Sequence, residues 1–272
     1  MPLTYQEFKK EVSQLCGTDL SLYKSQQMDR RIHSLMSLWG IADYDQYLKE
    51  LKTNAHRYQE FVKKLTINVS EFFRNPDRFM ELWEKIVPEL LKASRKIKIW
   101  SAGCSNGAEP YSIAIILQEL QASTQAEIIA TDIDQVVLEK AKKGVYLRHE
   151  VKSLPPELLK KYFRQEEELF FLGDSIKKKV IFKRHNLLCD PFPQELDLIS
   201  CRNVVIYFTE EAKNKLYMKF NQSLRMGGYF LAGGTEPLLY YKQVGFENVS
   251  PSFYKKFGAP DPHWDPSQRS FT

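Results

Sequence analysis

Apolar positions in the first 75 residues recur three or four residues apart, which is the spacing of one face of an α-helix. A stripe of this kind ends at Gly40, a residue that commonly stops helices. Further helices are predicted around residues 44–51 and 57–65. We therefore expect residues 1–75 to form an all-helical N-terminal domain. The clearest stripe consists of Met28, Ile32, Leu35 and Trp39.

From about residue 95 the pattern changes to short apolar runs that alternate with amphipathic stretches. The runs KIKIW, EIIATD, LDLIS and GYFLAGG are typical of buried strands, and stretches 109–120, 134–143 and 209–225 are typical of helices. Strands that alternate with helices of this length predict βαβ units and a parallel sheet. The expected fold of residues 76–272 is therefore α/β.

Residues 146–184 interrupt this alternation. They end in FFLGDSIKKKVIFKR, which we interpret as a β-hairpin turning at Gly173-Asp174. The sequence therefore predicts a small antiparallel β insertion at about 146–184. Near the C-terminus, NVSPSFYKKF follows without a helix and is predicted to add one antiparallel edge strand.

Composition limits the possible functions. The 272 residues are 43% hydrophobic and 27% charged, as in ordinary globular proteins, and the net charge of +5 is too small to indicate nucleic-acid binding. Four cysteines without CxxC spacing predict reduced thiols in a cytoplasmic protein. The histidines show no metal-ligand spacing, and the longest apolar run, 113–117, is too short to cross a bilayer. We therefore expect neither a metal nor membrane insertion, and MPLTYQEFKKEV does not resemble a signal peptide.

A loop of small residues, WSAGCSNGAEP, joins the first predicted strand of the sheet to its helix. Ligands of open parallel sheets bind at the carboxyl ends of the strands. Gly103 and Gly107 allow a ligand to approach the backbone closely, but the loop has neither GxGxxG nor the lysine of a P-loop. The dinucleotide and nucleoside-triphosphate interpretations are therefore weakened.

Two carboxylates indicate the charge of the ligand. Glu109 opens the helix after the loop, where it would repel phosphate and attract a cation. Asp132 follows the next strand and can accept hydrogen bonds from two ribose hydroxyls. A nucleoside with a positive centre, such as S-adenosylmethionine, fits this pattern. The same residues are also compatible with a helix cap and a strand end that bind no ligand.

Five stretches resemble, in order and separation, the CheR family of chemotaxis receptor methyltransferases. The resemblance implies a helical N-terminal domain that docks on receptors, followed by a Rossmann-like methyltransferase domain that contains a small β subdomain. It also implies methylation of glutamate side chains on cytoplasmic helices of chemoreceptors, with S-adenosylmethionine as cofactor. The stretches are INVSEFFRNPDRF (67–79), WSAGCSNGAEPYSIAI (100–115), ATDIDQVVLEKAKKGVY (130–146), HNLL (185–188) and SCRNVVIYF (200–208).

The resemblance also implies cofactor contacts, position by position. Arg74 would bind the methionine carboxylate with its planar fork of donors. Asn186 would present its amide to adenine, and Asn203 would lie near the reacting methyl group. With Gly103 of the loop, the predicted cofactor-binding residues are Asn68, Ser70, Arg74, Gly103, Glu109, Asp132, Asn186, Leu187, Asn203 and Val204.

Acceptor binding is predicted for four further residues. Tyr207 would orient the acceptor carboxylate and Arg202 would contact it as a cation, although a core aromatic and a salt-bridge partner are the alternatives. Arg30 and Arg31 lie off the apolar stripe and are predicted to face an acidic receptor helix. We expect a monomer. Because the predicted hairpin is short and has only Gly173 at its turn, we also expect that the protein needs no receptor peptide tether.

Two other functions remain open. The first is a methyltransferase that acts on another protein or on nucleic acid, and the second is a cofactor-binding scaffold without activity.

Overall fold

The N-terminal part of the protein is helical, as predicted. A computed structural model describes residues 2–65, 70–93 and 96–264. Met28, Ile32 and Leu35 are buried in one apolar cluster, and Trp39 packs against it. The helices of this part are α1 (Tyr5–Cys16), α2 (Ser25–Leu38), α3 (Tyr44–Thr53) and α4 (Ala55–Leu65).

A second helical run precedes the sheet, and helices then alternate with strands. The run consists of α5 (Pro76–Glu81), a π-helical turn (Leu82–Ile86) and α6 (Val87–Ala93). The later helices are α7 (Ala108–Glu119), α8 (Gln135–Lys143), α9 (Arg148–Val151), α10 (Pro156–Tyr162), α11 (Asp174–Lys177) and α12 (Glu210–Ser223). Among the described residues, no helix is long and apolar enough to cross a bilayer.

The described residues form two sheets. Their strands are β1 (Ile97–Ala102), β2 (Ala126–Asp132), β3 (Val145–Leu147), β4 (Phe163–Glu166), β5 (Leu169–Leu172), β6 (Val180–Arg184), β7 (Leu196–Cys201), β8 (Leu224–Ala232), β9 (Phe246–Ser250) and β10 (Phe253–Lys256). The larger sheet has the order β6-β2-β1-β7-β8-β10-β9, and the smaller one has the order β3-β5-β4.

The first five strands of the larger sheet are parallel, as the alternation of strands and helices predicted. The carboxyl ends of β1, β2, β6, β7 and β8 therefore lie along one edge of this sheet. Helix α7 follows β1 and is buried on nearly all sides, which explains its almost continuous run of apolar residues. This rigid strand–loop–helix unit positions the residues described below.

The predicted hairpin at Gly173-Asp174 is wrong. The hairpin of the small sheet joins β4 to β5 and turns at Glu167-Glu168, where Glu167 has a φ of +51°. The segment after Gly173 instead forms α11 and β6, and β6 pairs in parallel with β2 at the edge of the larger sheet. A local apolar pattern does not specify which distant strand supplies the pairing partner. The expectation of a tether-free enzyme rested on the misplaced hairpin and loses that support.

The single C-terminal edge strand is also a misinterpretation. NVSPSFYKKF lies mostly in two strands, β9 and β10, which form a hairpin around Pro251-Ser252. Proline cannot donate to a β-ladder, and Ser252 has a φ of +75°, so the chain turns at this point. Strand β10 pairs antiparallel with β8, which leaves β9 at the edge.

Candidate active site

A pocket opens at the carboxyl edge of the larger sheet, between the sheet and the N-terminal helices. It brings together every described residue for which a cofactor contact or catalytic role was predicted, whereas Asn68 lies outside the described residues. The predicted residues that line it are Ser70, Arg74, Gly103, Glu109, Asp132, Asn186, Leu187, Arg202, Asn203, Val204 and Tyr207. Sequence reasoning missed other lining residues, among them Tyr23, Leu65, Ser105 and His185.

The loop after β1 requires glycine at position 103. Gly103 has a φ of +78°, and a Cβ placed on it would lie 2.4 Å from Cγ2 of Val204. The backbone N–H groups of Gly103 and Cys104 both donate to the Thr131 carbonyl, at 2.8 and 2.9 Å. These contacts join the loop to the end of β2 and to the segment after β7, so three strand ends meet at one point.

Asp132 lies at this junction with a buried carboxylate. Its Oδ2 accepts the Ser105 N–H at 2.8 Å and its Oδ1 accepts the Asp134 N–H at 3.0 Å. Burial raises the pKa of Asp132, and the backbone N–H groups oppose that rise. Each carboxylate oxygen can accept a second hydrogen bond. Both oxygens therefore retain capacity for a ligand with neighbouring hydroxyls.

Glu109 is not a free anion, because a guanidinium of the chain neutralises it. Arg202 is 7% exposed, and its Nη1 lies 3.4 Å from Oε2 of Glu109, whose Oε1 accepts from the Ser101 hydroxyl at 2.8 Å. Arg202 Nη2 donates to the Arg74 carbonyl at 2.7 Å and to Asn75 Oδ1 at 2.6 Å. The negative charge of Glu109 is therefore weaker evidence for a cationic ligand than it was in the sequence alone. Arg202 connects the start of α7 to the segment before α5.

The segment before α5, which contributes Ser70, Glu71 and Arg74 to the pocket lining, is anchored by two phenylalanines. Phe72 and Phe73 are fully buried. Their N–H groups donate to the Glu150 carbonyl at 2.8 Å and to the Ser112 hydroxyl at 3.1 Å. Because the two rings point into the core, the flanking Glu71 and Arg74 line the pocket.

The side-chain amide of Asn186 faces the N-terminal helices and not the pocket interior. Its Nδ2 donates to the Gly17 carbonyl at 3.0 Å and to the Thr18 hydroxyl at 2.7 Å, and its Oδ1 accepts the Leu188 N–H at 3.0 Å. The predicted amide contact with adenine is therefore inconsistent with this conformation. Asn186 and Leu187 still line the pocket.

The N-terminal helices form one wall of the pocket. The Lys24 N–H donates to the Tyr207 carbonyl at 2.9 Å, beside an isolated β-bridge between Tyr23 and Phe208. Arg31 is only partly exposed, since its guanidinium lies 4.9 Å from the centroid of the Tyr207 ring and donates to the Leu65 carbonyl at 2.7 Å. Of the two arginines expected to face outward, only Arg30 is exposed.

Several polar atoms of the pocket wall have no hydrogen-bond partner within the described part of the chain. They are Ser105 Oγ, His185 Nδ1, Arg202 Nε and Asn203 Oδ1. Buried polar atoms are normally satisfied, so a polar ligand that supplies both donors and acceptors fits this wall. Together with the remaining acceptor capacity of Asp132, the wall suits the hydroxyls and base of a nucleoside.

Glu236 is a further residue of this region that sequence reasoning missed. Its buried carboxylate holds the backbone after β7, at Asn203 and Ile206. The available signal was its position, because it lies four residues after β8, at the same edge of the sheet as Glu109 and Asp132. An acidic residue in a predicted loop gives no indication of three backbone partners.

Comparison with known proteins identifies the family. Residues 3–66 match the model of the CheR methyltransferase all-alpha domain, and residues 68–254 match that of the CheR methyltransferase SAM-binding domain. The chain belongs to the CheR methyltransferase family. The suspected family, the enzyme class and S-adenosylmethionine as the cofactor are thereby confirmed. The roles of single residues and the domain boundaries stay predictions.

Relatives of this CheR methyltransferase match it over most of their length. The chemotaxis protein methyltransferase of Listeria innocua is 38% identical over 93% of this chain and 97% of the relative. That of Borreliella burgdorferi is 36% identical over 88% of this chain and 89% of the relative. That of Escherichia coli K12 is 31% identical over 85% and 83%, respectively.

Proposed function

We propose that this CheR methyltransferase methylates glutamate side chains on the cytoplasmic helices of chemoreceptors, which yields glutamate methyl esters. The chemotaxis relatives support this substrate class. The structural observation that carries the proposal is that Tyr207, which lines the pocket, is paired with the guanidinium of Arg31. A guanidinium beside a phenol is suited to attract and orient a carboxylate.

The cofactor would be held by the wall described above. Asp132 would accept hydrogen bonds from the ribose hydroxyls, and Arg74 would bind the carboxylate of the methionine part. Asn203 Oδ1 would accept a hydrogen bond from a donor group of the ligand. The backbone at Asn186 and Leu187 contacts the base, since the Asn186 amide is engaged elsewhere. Bound S-adenosylmethionine supplies an electrophilic methyl group on a sulfonium.

The acceptor needs no general base. A glutamate with an ordinary pKa of about 4.3 is already ionised at neutral pH. Burial raises the pKa of Tyr207, with Arg31 opposing the rise, so the phenol is protonated at neutral pH and can donate to the acceptor. The chain therefore contributes orientation and exclusion of water. Orientation alone can lower a barrier by about 7–11 kcal/mol.

Arg202 acts in this proposal as a positioning residue. Its Nη atoms are directed at Glu109, Arg74 and Asn75, which leaves them poorly placed to contact the acceptor as well. A planar guanidinium can bind several acceptors at once, which an ammonium group does less well. Arg202 thus holds Arg74 beside the pocket.

Receptor docking is assigned to the N-terminal helices. Arg30 is exposed on α2, the helix that also carries Arg31. An exposed positive residue, and a second one packed on the ring of Tyr207, would guide an acidic receptor helix toward the pocket. The division into residues 1–75 and 76–272 stays a prediction.

The test is methyl transfer from labelled S-adenosylmethionine to receptor cytoplasmic fragments, with RNA and DNA as competing acceptors. We expect one methyl of added mass per modified glutamate and loss of that mass in mild alkali, because esters hydrolyse there. Label on nucleic acid, or alkali-stable label on the receptor, would contradict the proposal.

A matched variant tests the acceptor contact. Tyr207→Phe keeps the ring that packs on Arg31 but removes the hydroxyl. We expect kcat to fall about 10–100-fold, as for one lost hydrogen bond to a charged group, while the affinity for S-adenosylhomocysteine stays within about threefold. An unchanged kcat would exclude Tyr207 from the acceptor site.

A further inference from the structure

The carboxylate of Glu236 is bound almost entirely by backbone N–H groups. Glu236 is 4% exposed and lies just after β8. Its Oε2 accepts the Asn203 N–H at 2.6 Å and the Gly233 N–H at 3.0 Å, and its Oε1 accepts the Ile206 N–H at 3.1 Å. One side chain therefore fixes two points of the segment after β7.

Burial of the Glu236 carboxylate costs free energy, which its hydrogen bonds must offset. Burial raises the pKa of Glu236, and the N–H groups of Asn203, Ile206 and Gly233, followed by the charge of Arg202, oppose the rise. No described lysine, arginine or histidine lies within ion-pair distance of its carboxylate. A buried charge without a direct ion pair must be stabilised by hydrogen bonds, so the backbone donors are its principal compensation.

The space around Gly233 shows how closely the Glu236 carboxylate packs between the end of β8 and the segment after β7. A Cβ on Gly233 would lie 2.0 Å from Oε2 of Glu236 and 2.9 Å from the backbone nitrogen of Asn203. The carboxylate thus fills the space between the end of β8 and the segment after β7. Asn203 has a φ of +59°, a conformation that costs a residue other than glycine free energy. The hydrogen bond from its N–H to Glu236 helps to hold it there.

The segment that Glu236 holds carries two pocket residues. Asn203 lines the pocket and has a buried Oδ1 without a hydrogen-bond partner among the described residues. Tyr207 also lines the pocket and directly follows Ile206, whose N–H donates to Glu236. We propose that Glu236 is a positioning residue for methyl transfer, which sets the backbone of residues 203–207 so that Asn203 faces the cofactor and Tyr207 faces the acceptor. The part that concerns Tyr207 rests on the proposed function, whereas the part that concerns Asn203 requires only cofactor binding.

Two variants of Glu236 remove different numbers of its hydrogen bonds to the backbone. Glu236→Gln keeps one acceptor oxygen, which can still bind the N–H groups of Asn203 and Gly233, but its NH₂ group then meets the N–H of Ile206. Glu236→Ala removes all three acceptors. Glu211→Gln is the control, because Glu211 is an exposed carboxylate on α12 whose partner is Lys215.

The measurements are hydrogen exchange of the 202–208 peptide, calorimetric affinity for S-adenosylhomocysteine, and kcat and KM with a receptor fragment. For Glu236→Gln we expect faster exchange confined to that peptide, about tenfold lower kcat, and a receptor KM within about twofold. For Glu236→Ala we expect the affinity for S-adenosylhomocysteine to fall more than about tenfold. The control should match the wild type.

Two results would overturn the proposal. The first is wild-type exchange and wild-type cofactor affinity in both variants. The second is faster exchange over the whole chain in Glu236→Gln, which would mean that Glu236 serves stability in general. If Glu236→Ala does not fold, Glu236→Gln carries the test. Because exchange and S-adenosylhomocysteine binding need no receptor, a failure of receptor methylation in the wild type would contradict the proposed function and not this inference.

Discussion

At the scale of single residues, the conformation of Gly103 limits what the cofactor loop can tolerate. Gly103→Ala would place a methyl group 2.4 Å from Cγ2 of Val204, at a φ of +78°. We expect a loss of about 1–2 kcal/mol from the left-handed conformation and about 1–3 kcal/mol from the steric overlap. Denaturant unfolding measures the loss, and calorimetry should show weaker binding of S-adenosylhomocysteine because Gly103 and Val204 both line the pocket.

Gly234→Ala is the matched control for this substitution. Nothing lies within 4 Å of a Cβ at Gly234, and its φ is outside the left-handed region. We expect its unfolding free energy to stay within about 0.5 kcal/mol of the wild type. Equal losses in the two variants would show that the contact with Val204 is not what makes glycine necessary at position 103.

At the scale of elements, the sequence predicted those features of the fold that depend on the local pattern of apolar and polar residues. The alternation of strands and helices gave the parallel sheet, and the small-residue loop after β1 gave the site at its carboxyl edge. The pairing of β6 with β2 and the division of the C-terminal segment into β9 and β10 were not predicted, because pairing partners are not specified by local sequence. The same limit applies around the pocket, since Asn186 bonds Gly17 and Glu236 bonds Asn203, which are far away in sequence.

Glu150 connects three elements around the cofactor loop. Its Oε2 accepts the Leu147 N–H at 2.8 Å, and its Oε1 accepts from Asn106 Nδ2 at 2.7 Å and from Lys140 Nζ at 2.8 Å. Burial by itself would raise the pKa of Glu150. The hydrogen bonds from Leu147, Lys140 and Asn106 and the charge of Lys140 outweigh that effect, so the pKa is lowered from 4.5. The ionised carboxylate therefore stabilises the fold.

The pH dependence of Glu150→Gln follows from that sign. A carboxyl whose pKa is lower in the folded state contributes its stability above the unfolded pKa and loses it as the pH falls through the folded pKa. We expect the variant to be about 1–2 kcal/mol less stable at pH 7, and the difference to shrink as the pH falls below 4.5. Urea unfolding at several pH values measures this difference.

Glu157→Gln provides the comparison for that titration. Glu157 is exposed on α10 in the same inserted region. Its substitution should change the unfolding free energy by less than about 0.5 kcal/mol at any pH. A difference for Glu150→Gln that grows toward low pH would contradict the assigned direction of the pKa shift.

At the scale of the whole molecule, the N-terminal helices contact the edge of the sheet and contribute Tyr23 and Leu65 to the pocket lining. Besides the contacts of Tyr207, the Thr209 N–H donates to the Leu22 carbonyl at 2.8 Å. The amide of Asn186 bonds Gly17 and Thr18 at the end of α1. Because Tyr23 and Leu65 line the pocket, we expect cofactor binding to be coupled to the packing of the N-terminal helices on the sheet.

Asn186→Ala tests this coupling. It removes the amide that reaches Gly17 and Thr18, and we expect a loss of about 1–3 kcal/mol in unfolding free energy. Hydrogen exchange should become faster in residues 13–20, and the affinity for S-adenosylhomocysteine should fall by less than about tenfold. Asn214→Ala on α12 should leave all three quantities near those of the wild type, since no hydrogen bond joins the Asn214 side chain to another described residue.

The opposite results for Asn186→Ala would support the contact between the Asn186 amide and adenine that was first predicted from the sequence. If the amide of Asn186 binds adenine, Asn186→Ala should lower cofactor affinity strongly and leave exchange in residues 13–20 unchanged. The two hypotheses therefore differ in which measurement responds. The hydrogen bonds to Gly17 and Thr18 favour the interdomain role, because an amide with both donors engaged can serve the base only after it leaves the N-terminal helices.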